Sequence, residues 1–216
     1  NGSGDVRPLY AGGSVAMNID WADSGVLGAT EGSIKGNVRT AVLPGSTEIW
    51  NAKTKAWDKF DKPVASPFLA FGGWQLGVPA DSKNQAAAWD YVALTISPEV
   101  SGKAIVTANS GVNPFRLSHY ENLKNWDSIF TPEEAASYLG AQRASLDSPN
   151  VALDLRLPGF NDYTEVLEIE LSKALAGEVE PQAALDNIAA AWNKITDDLG
   201  RDKQLAAYRA SMGLPA

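Results

Sequence analysis

The chain has no cysteine and a single histidine among its 216 residues. The first absence excludes disulfides, thiolate nucleophiles and cysteine-ligated metal. It is compatible with an oxidising compartment without establishing one. With only one histidine as well, ordinary zinc sites lack their ligands, and no metal centre or other cofactor is expected. Clusters of basic residues are missing too. Lysine and arginine total 18 against 26 acidic residues, a net charge of −8 with a pI near 4.7. Such a surface repels phosphate backbones and anionic lipid, which argues against nucleic-acid or membrane-surface binding. No apolar run reaches the roughly 20 residues a spanning helix needs. The stretch Asn1 to Arg7 holds no apolar core of signal-peptide type.

What is present is an ordinary globular balance, 44% hydrophobic and 20% charged, with seven tryptophans. Several of these lie beside glycine or a polar group: Asp20-Trp21-Ala22-Asp23, Gly72-Gly73-Trp74 and Asn125-Trp126-Asp127. An indole offers a broad apolar face and its neighbours offer hydrogen bonds, a pairing that suits a sugar or polyol. The plainer reading is that such rings are core, since tryptophan is mostly buried.

Along the chain, the first third reads as extended segments. Strands are expected at Ser14–Trp21, Val38–Leu43 and Phe68–Val78, with a glycine-rich stretch from Gly25 to Gly36 and a polar surface excursion from Glu48 to Lys62. After Pro79 the pattern turns helical. Ser82 with Gln85 predicts a capping box and a helix to about Ile96, Ser97-Pro98 a helix to about Ala108, and Thr131-Pro132 with Glu134 a helix to about Ser145. Pro158-Gly159 precedes a helix ending at Gly177, Pro181 opens one closed by Gly200, and a last helix ends at Gly213. Three strands without tight hairpins leave backbone groups that need partners from elsewhere. The chain is therefore expected to be the C-terminal part of a longer polypeptide.

Catalytic signatures are thin. His119, in a polar stretch, reads as a solvated surface residue, and no nucleophile elbow is present. Paired carboxylates for glycoside hydrolysis are conceivable among Asp20, Asp23, Asp154 and Asp162. Asp197-Asp198 reads as solvated, and no calcium-loop spacing occurs. Gly12-Gly13 and Gly72-Gly73 lack the lysine of a phosphate loop. What remains is a set of aromatic and polar residues at segment ends, where clefts of α/β proteins gather ligand groups.

In order along the chain, Gly12-Gly13-Ser14-Val15-Ala16-Met17 with Trp21, Gly72-Gly73-Trp74 with Val78-Pro79, Asn113-Pro114-Phe115-Arg116, Pro158-Gly159 to Tyr163, and Ala174 to Gly177 with Trp192 resemble the blocks of family 1 extracellular solute-binding proteins. These are the maltose-binding-protein-like receptors of ABC importers. The resemblance implies an α/β, periplasmic-binding-protein-like (type II) two-lobe architecture, present here as a helix-rich C-terminal fragment. Residues 1–116 would complete the N-terminal lobe and 117–216 would form a helical segment of the C-terminal lobe, with a crossover near Leu117 to Tyr120. It implies a periplasmic or extracytoplasmic binder, not an enzyme. Its partners would be a sugar or polyol, the permease subunits and the remaining N-terminal part of the same protein. Trp21 and Trp74 would stack on the ligand, Asp20 and Asn113 would meet hydroxyls, and Arg116 would donate a forked pair. Gly72, Gly73 and Tyr163 complete the expected ligand-binding set. Thr164 stands where maltose-type members carry a stacking aromatic, which favours a monosaccharide or polyol over an oligosaccharide. A glycoside-processing enzyme is the alternative, and a module whose tryptophans are all core is a third reading.

Overall fold

Thr131 opens a helix with a complete capping box. Its hydroxyl accepts from the Glu134 amide at 3.3 Å, and Glu134 Oε2 accepts from the Thr131 amide at 2.9 Å, with Pro132 fixing the first helical φ. The computed structural model describes residues 3–30, 32–70 and 73–215. They fall into two compact units, one ending at Ala152 and the other beginning at Leu153. Leu117 to Tyr120, where a crossover is expected, falls within the first unit, on a short helix that buries His119.

The first unit begins with α1 (Ser3–Ala11) and α2 (Asp23–Thr30). Neither was expected. The Gly12-Gly13 pair ends α1, with Gly13 left-handed at φ 76 and the Ser14 amide closing on the Leu9 carbonyl at 2.9 Å. The glycine-rich stretch is half helix: a Cβ on Gly25 would stand 3.2 Å from the Tyr138 ring, so its glycines serve close helix packing as well as turns. The strand expected over Ser14–Trp21 is instead a bend and an irregular passage that joins no described sheet.

Val38–Leu43, the second expected strand, is irregular and lies outside any described sheet. Its partners are side chains of α6 (Pro132–Leu146): the Val38 amide donates to Glu134 Oε1 at 2.9 Å and the Thr40 amide to Ser137 Oγ at 3.4 Å. The polar excursion is an antiparallel hairpin, β1 (Ser46–Asn51) and β2 (Ala56–Val64). Asn51 Oδ1 accepts from the Lys53 and Thr54 amides and Lys55 turns left-handed at φ 52, while Trp50 packs edge-on to Trp57 at 5.7 Å. Among the described residues of the third expected strand only β3 (Phe68–Leu69) forms, paired with β4 (Ala152–Leu153) through the Ala152 amide on the Pro67 carbonyl at 2.8 Å.

Helices α3 (Gln85–Thr95) and α4 (Pro98–Ala104) follow, then α5 (Leu117–Glu121) and a 3-10 turn at Leu123–Trp126. Ser97 caps α4 as expected. The Ser82–Gln85 box does not form: Ser82 Oγ accepts from the Asn84 amide, and Gln85 Nε2 bonds the Ala80 carbonyl instead. The core of this unit centres on Trp126, Phe130 and Tyr138, whose ring centroids lie 4.9 to 5.9 Å apart, with Val26, Val38 and Ile105 around them.

The second unit is helical. It comprises α7 (Phe160–Leu175), α8 (Pro181–Leu199) and α9 (Arg201–Ser211), each within two residues of the expected glycine stops. Ala184 and Ile188 of α8 are buried, as the apolar stripe predicts. Glu170 of α7 is gripped by Lys173 and by Asn187 of α8.

Candidate functional site

Arg7 organises the region that holds Asp20 and Trp21. Its Nε donates to Asp20 Oδ2 at 2.7 Å and its Nη1 to Asp23 Oδ2 at 2.8 Å. Nη2 bridges the other two oxygens, at 3.2 Å to Asp20 and 3.0 Å to Asp23. The guanidinium carbon also sits 5.6 Å from the Trp21 ring centroid, within cation–π range. These bonds hold the guanidinium in its charged form, raising its pKa chiefly through the Asp20 bond and against some desolvation. Asp20 receives further bonds from the Trp21 amide at 2.7 Å and from Asn18. Its acceptor capacity is largely filled from within the chain. Arg7 was not foreseen, because its spacing of 13 and 16 residues from the carboxylates matches no helical or strand period.

The predicted site residues meet different fates. Trp21 is 42% exposed and Trp74 84% exposed, so neither is sealed in an interior. Gly73 is left-handed at φ 97, and Gly72 lies outside the described residues. In the 111–116 loop, Asn113 Oδ1 is buried with no hydrogen-bond partner among the described residues. Arg116 directs its fork at backbone: Nε donates to the Ile96 carbonyl at 3.0 Å, and Nη2 shares that acceptor. Tyr163 is 2% exposed, inside the second unit. Its hydroxyl bonds Thr196 Oγ1 at 2.9 Å and its carbonyl accepts from Trp192 Nε1 at 2.8 Å, so it braces α7 against α8.

Trp126, flanked by Asn125 and Asp127, is core; its Nε1 donates to the His119 carbonyl at 2.9 Å. His119 is a correction of another kind. It is 2% exposed and lies 3.1 Å from Ser101 Oγ, not on the surface. The resulting pair is not a nucleophile with its base. Nδ1 accepts from the Phe115 amide at 3.3 Å, which places the imidazole proton on Nε2, facing Ser101. The Ser101 proton goes to the Ser97 carbonyl at 2.6 Å. The hydroxyl thus receives from the imidazole and does not give to it.

A recess of about 470 Å³ is bordered by Lys35, Asp127, Ser128, Phe130, Thr131 and Glu134. The Glu134 oxygens there already accept from the Val38 and Thr131 amides. Among the described residues no three histidine, aspartate or glutamate side chains gather as a metal ion requires. No described helix is long and apolar enough to cross a membrane. No protein-family model matches the sequence, and no solved structure matches its fold.

Proposed function

We propose that this chain is part of an extracytoplasmic carbohydrate receptor, the substrate-binding component of an ABC importer of the maltose-binding-protein-like family. The observation that carries the reading is the placement of Trp21 and Trp74. A core tryptophan is largely buried, whereas these residues are 42% and 84% exposed, as stacking faces for a monosaccharide or polyol would be. Trp50, Trp57 and Trp89 are exposed too, and it is the position of Trp21 and Trp74 in the receptor-like sequence blocks that singles them out. Asn113 adds to the reading, with a buried acceptor that has no donor among the described residues and would take a ligand hydroxyl when the site closes.

The need for further polypeptide is supported by α3. It reads Gln-Ala-Ala-Ala-Trp-Asp-Tyr-Val-Ala-Leu-Thr, yet none of its residues is buried. A helix that apolar is normally covered on most sides. Met17 and Ile19, in irregular backbone outside both described sheets, are more than 80% exposed. Strands supplied by the remaining N-terminal part of the same protein would cover such surfaces and complete a type II two-lobe fold. The receptor would close over its ligand through contacts made only in the closed state, then deliver it to the permease in the periplasm or its extracytoplasmic equivalent. It acts by binding. The glycosidase alternative is disfavoured by the Arg7 clamp, which occupies both oxygens of Asp20 and of Asp23.

A thermal-shift screen of the full-length protein against hexoses, hexitols and their phosphates tests the reading, since a ligand that binds only the folded state raises Tm. At least one sugar or polyol is expected to raise it. Trp74→Ala is then expected to weaken binding by about 1 to 3 kcal/mol, the loss of a buried aromatic contact. A panel without any shift would overturn the proposal.

A further inference from the structure

We propose that Arg7 is the positioning residue of the Trp21 end of the site, and that its cluster with Asp20 and Asp23 selects uncharged polyols over sugar acids and sugar phosphates. The inference rests on the carbohydrate reading above and adds ligand class to it.

The geometry is unusual for a surface ion pair. One guanidinium makes four bonds of 2.7 to 3.2 Å to two carboxylates, with its side chain 20% exposed and theirs 9% and 12%. Only arginine's planar fork serves two carboxylates at once in this way. The same group lies against Trp21, and the Trp21 amide bonds the clamped Asp20. Backbone and ring of Trp21 are thereby fixed from the same centre. A rigid ring binds with less ordering to overcome than a mobile one.

Charge follows from the same count. Two carboxylates and one guanidinium leave one net negative charge beside the indole. A phosphate or carboxylate stacked on Trp21 would face that charge across a partly desolvated space, where like charges repel more strongly than in water. Arg7 spends four of its five N–H donors on aspartate, so it has no forked pair left for an anionic ligand. A neutral hydroxyl ring meets no such penalty.

The experiment uses the full-length protein with Arg7→Met and Arg7→Lys. Calorimetry is run against neutral hexoses and hexitols, a hexuronate and a hexose 6-phosphate, with near-UV circular dichroism of the ligand-free proteins. Wild type should bind a neutral member at least tenfold more tightly than its charged counterpart. Arg7→Met should weaken neutral binding about tenfold or more, the equivalent of one lost charge-assisted contact. Arg7→Lys, which keeps the charge but not the fork, should retain the neutral preference while losing part of the affinity. The Arg7→Met change in near-UV signal should vanish in a Trp21→Phe background, a signature that loss of general stability would not produce. Equal affinity of wild type and Arg7→Met for a neutral sugar would overturn the assignment alone. Equal or tighter binding of the hexuronate or phosphate would overturn the selectivity. Absence of binding by the whole panel would remove the carbohydrate reading and this inference with it.

Discussion

Ser101 Oγ and His119 Nε2 lie 3.1 Å apart in the interior of the first unit, and the proton between them belongs to the imidazole. The contact ties α4 to α5, and the segment beyond runs straight into the aromatic core through Trp126. Burial first, and the nearby Arg116 charge second, hold the His119 pKa below its ordinary value.

That depression gives a pH dependence with a definite sign. The unfolded chain protonates this histidine as pH falls below about 6.5, while the folded chain resists until lower pH. The unfolded state therefore holds more protons in that window, so stability from this group is full above about pH 6.5 and declines as pH drops toward the folded pKa. Urea titrations at pH 7.5, 6 and 5 should show wild type losing more stability than His119→Gln. Parallel losses would contradict the assignment.

Ser101→Ala removes the acceptor of the buried Nε2 proton. The expected destabilisation is about 1 to 3 kcal/mol, the range for a buried donor left without a partner. Ligand affinity should not change. A loss of hydrolytic activity in this variant would reveal chemistry that the proton arrangement argues against.

Glu134 is 1% exposed and serves two amides, of Thr131 and of Val38. Glu134→Ala is expected to cost more than the roughly 1 kcal/mol of an ordinary cap, because it also strands the Val38 amide in the core. Thr131→Ala should cost only the cap. Equal effects in denaturant titration would show that the Val38 bond contributes nothing.

Tyr163→Phe interrupts a directed chain. Gln204 Nε2 donates to Tyr163 Oη at 3.3 Å, Tyr163 to Thr196 at 2.9 Å, and Thr196 to the Trp192 carbonyl at 2.7 Å. A loss of about 1 kcal/mol is expected, without an effect on ligand binding. A drop in sugar affinity at unchanged Tm would return Tyr163 to the ligand site.

Gly159 sits at φ 79, and a Cβ there would stand 2.6 Å from Leu199 Cδ1. Gly159→Ala combines left-handed strain of about 1 to 2 kcal/mol with that clash, so Tm should fall. The exposed Gly177, also left-handed, has open space around its Cβ and serves as the comparison for strain alone.

The helical half was legible because its signals are local. Thr131-Pro132 with Glu134, Pro181 and the closing glycines act within a turn or two, so neighbouring residues decide the outcome. The candidate site was legible only in part. Trp21 and Trp74 are exposed while Trp126, likewise flanked by polar residues, is core, a difference that packing and not residue type decides.

Tertiary structure alone decided the rest. The Val38–Leu43 segment bonds side chains of a helix nearly a hundred residues later in place of a neighbouring strand, partners that alternation along the sequence does not reveal. His119 looked solvated among polar neighbours, and its burial depends on Ser101 and Phe115 meeting it in space. Arg7 became the centre of a charge cluster only when α1 folded back beside Asp20 and Asp23. Backbone preferences are written in adjacent residues. Which charges and rings meet depends on where the whole chain places them.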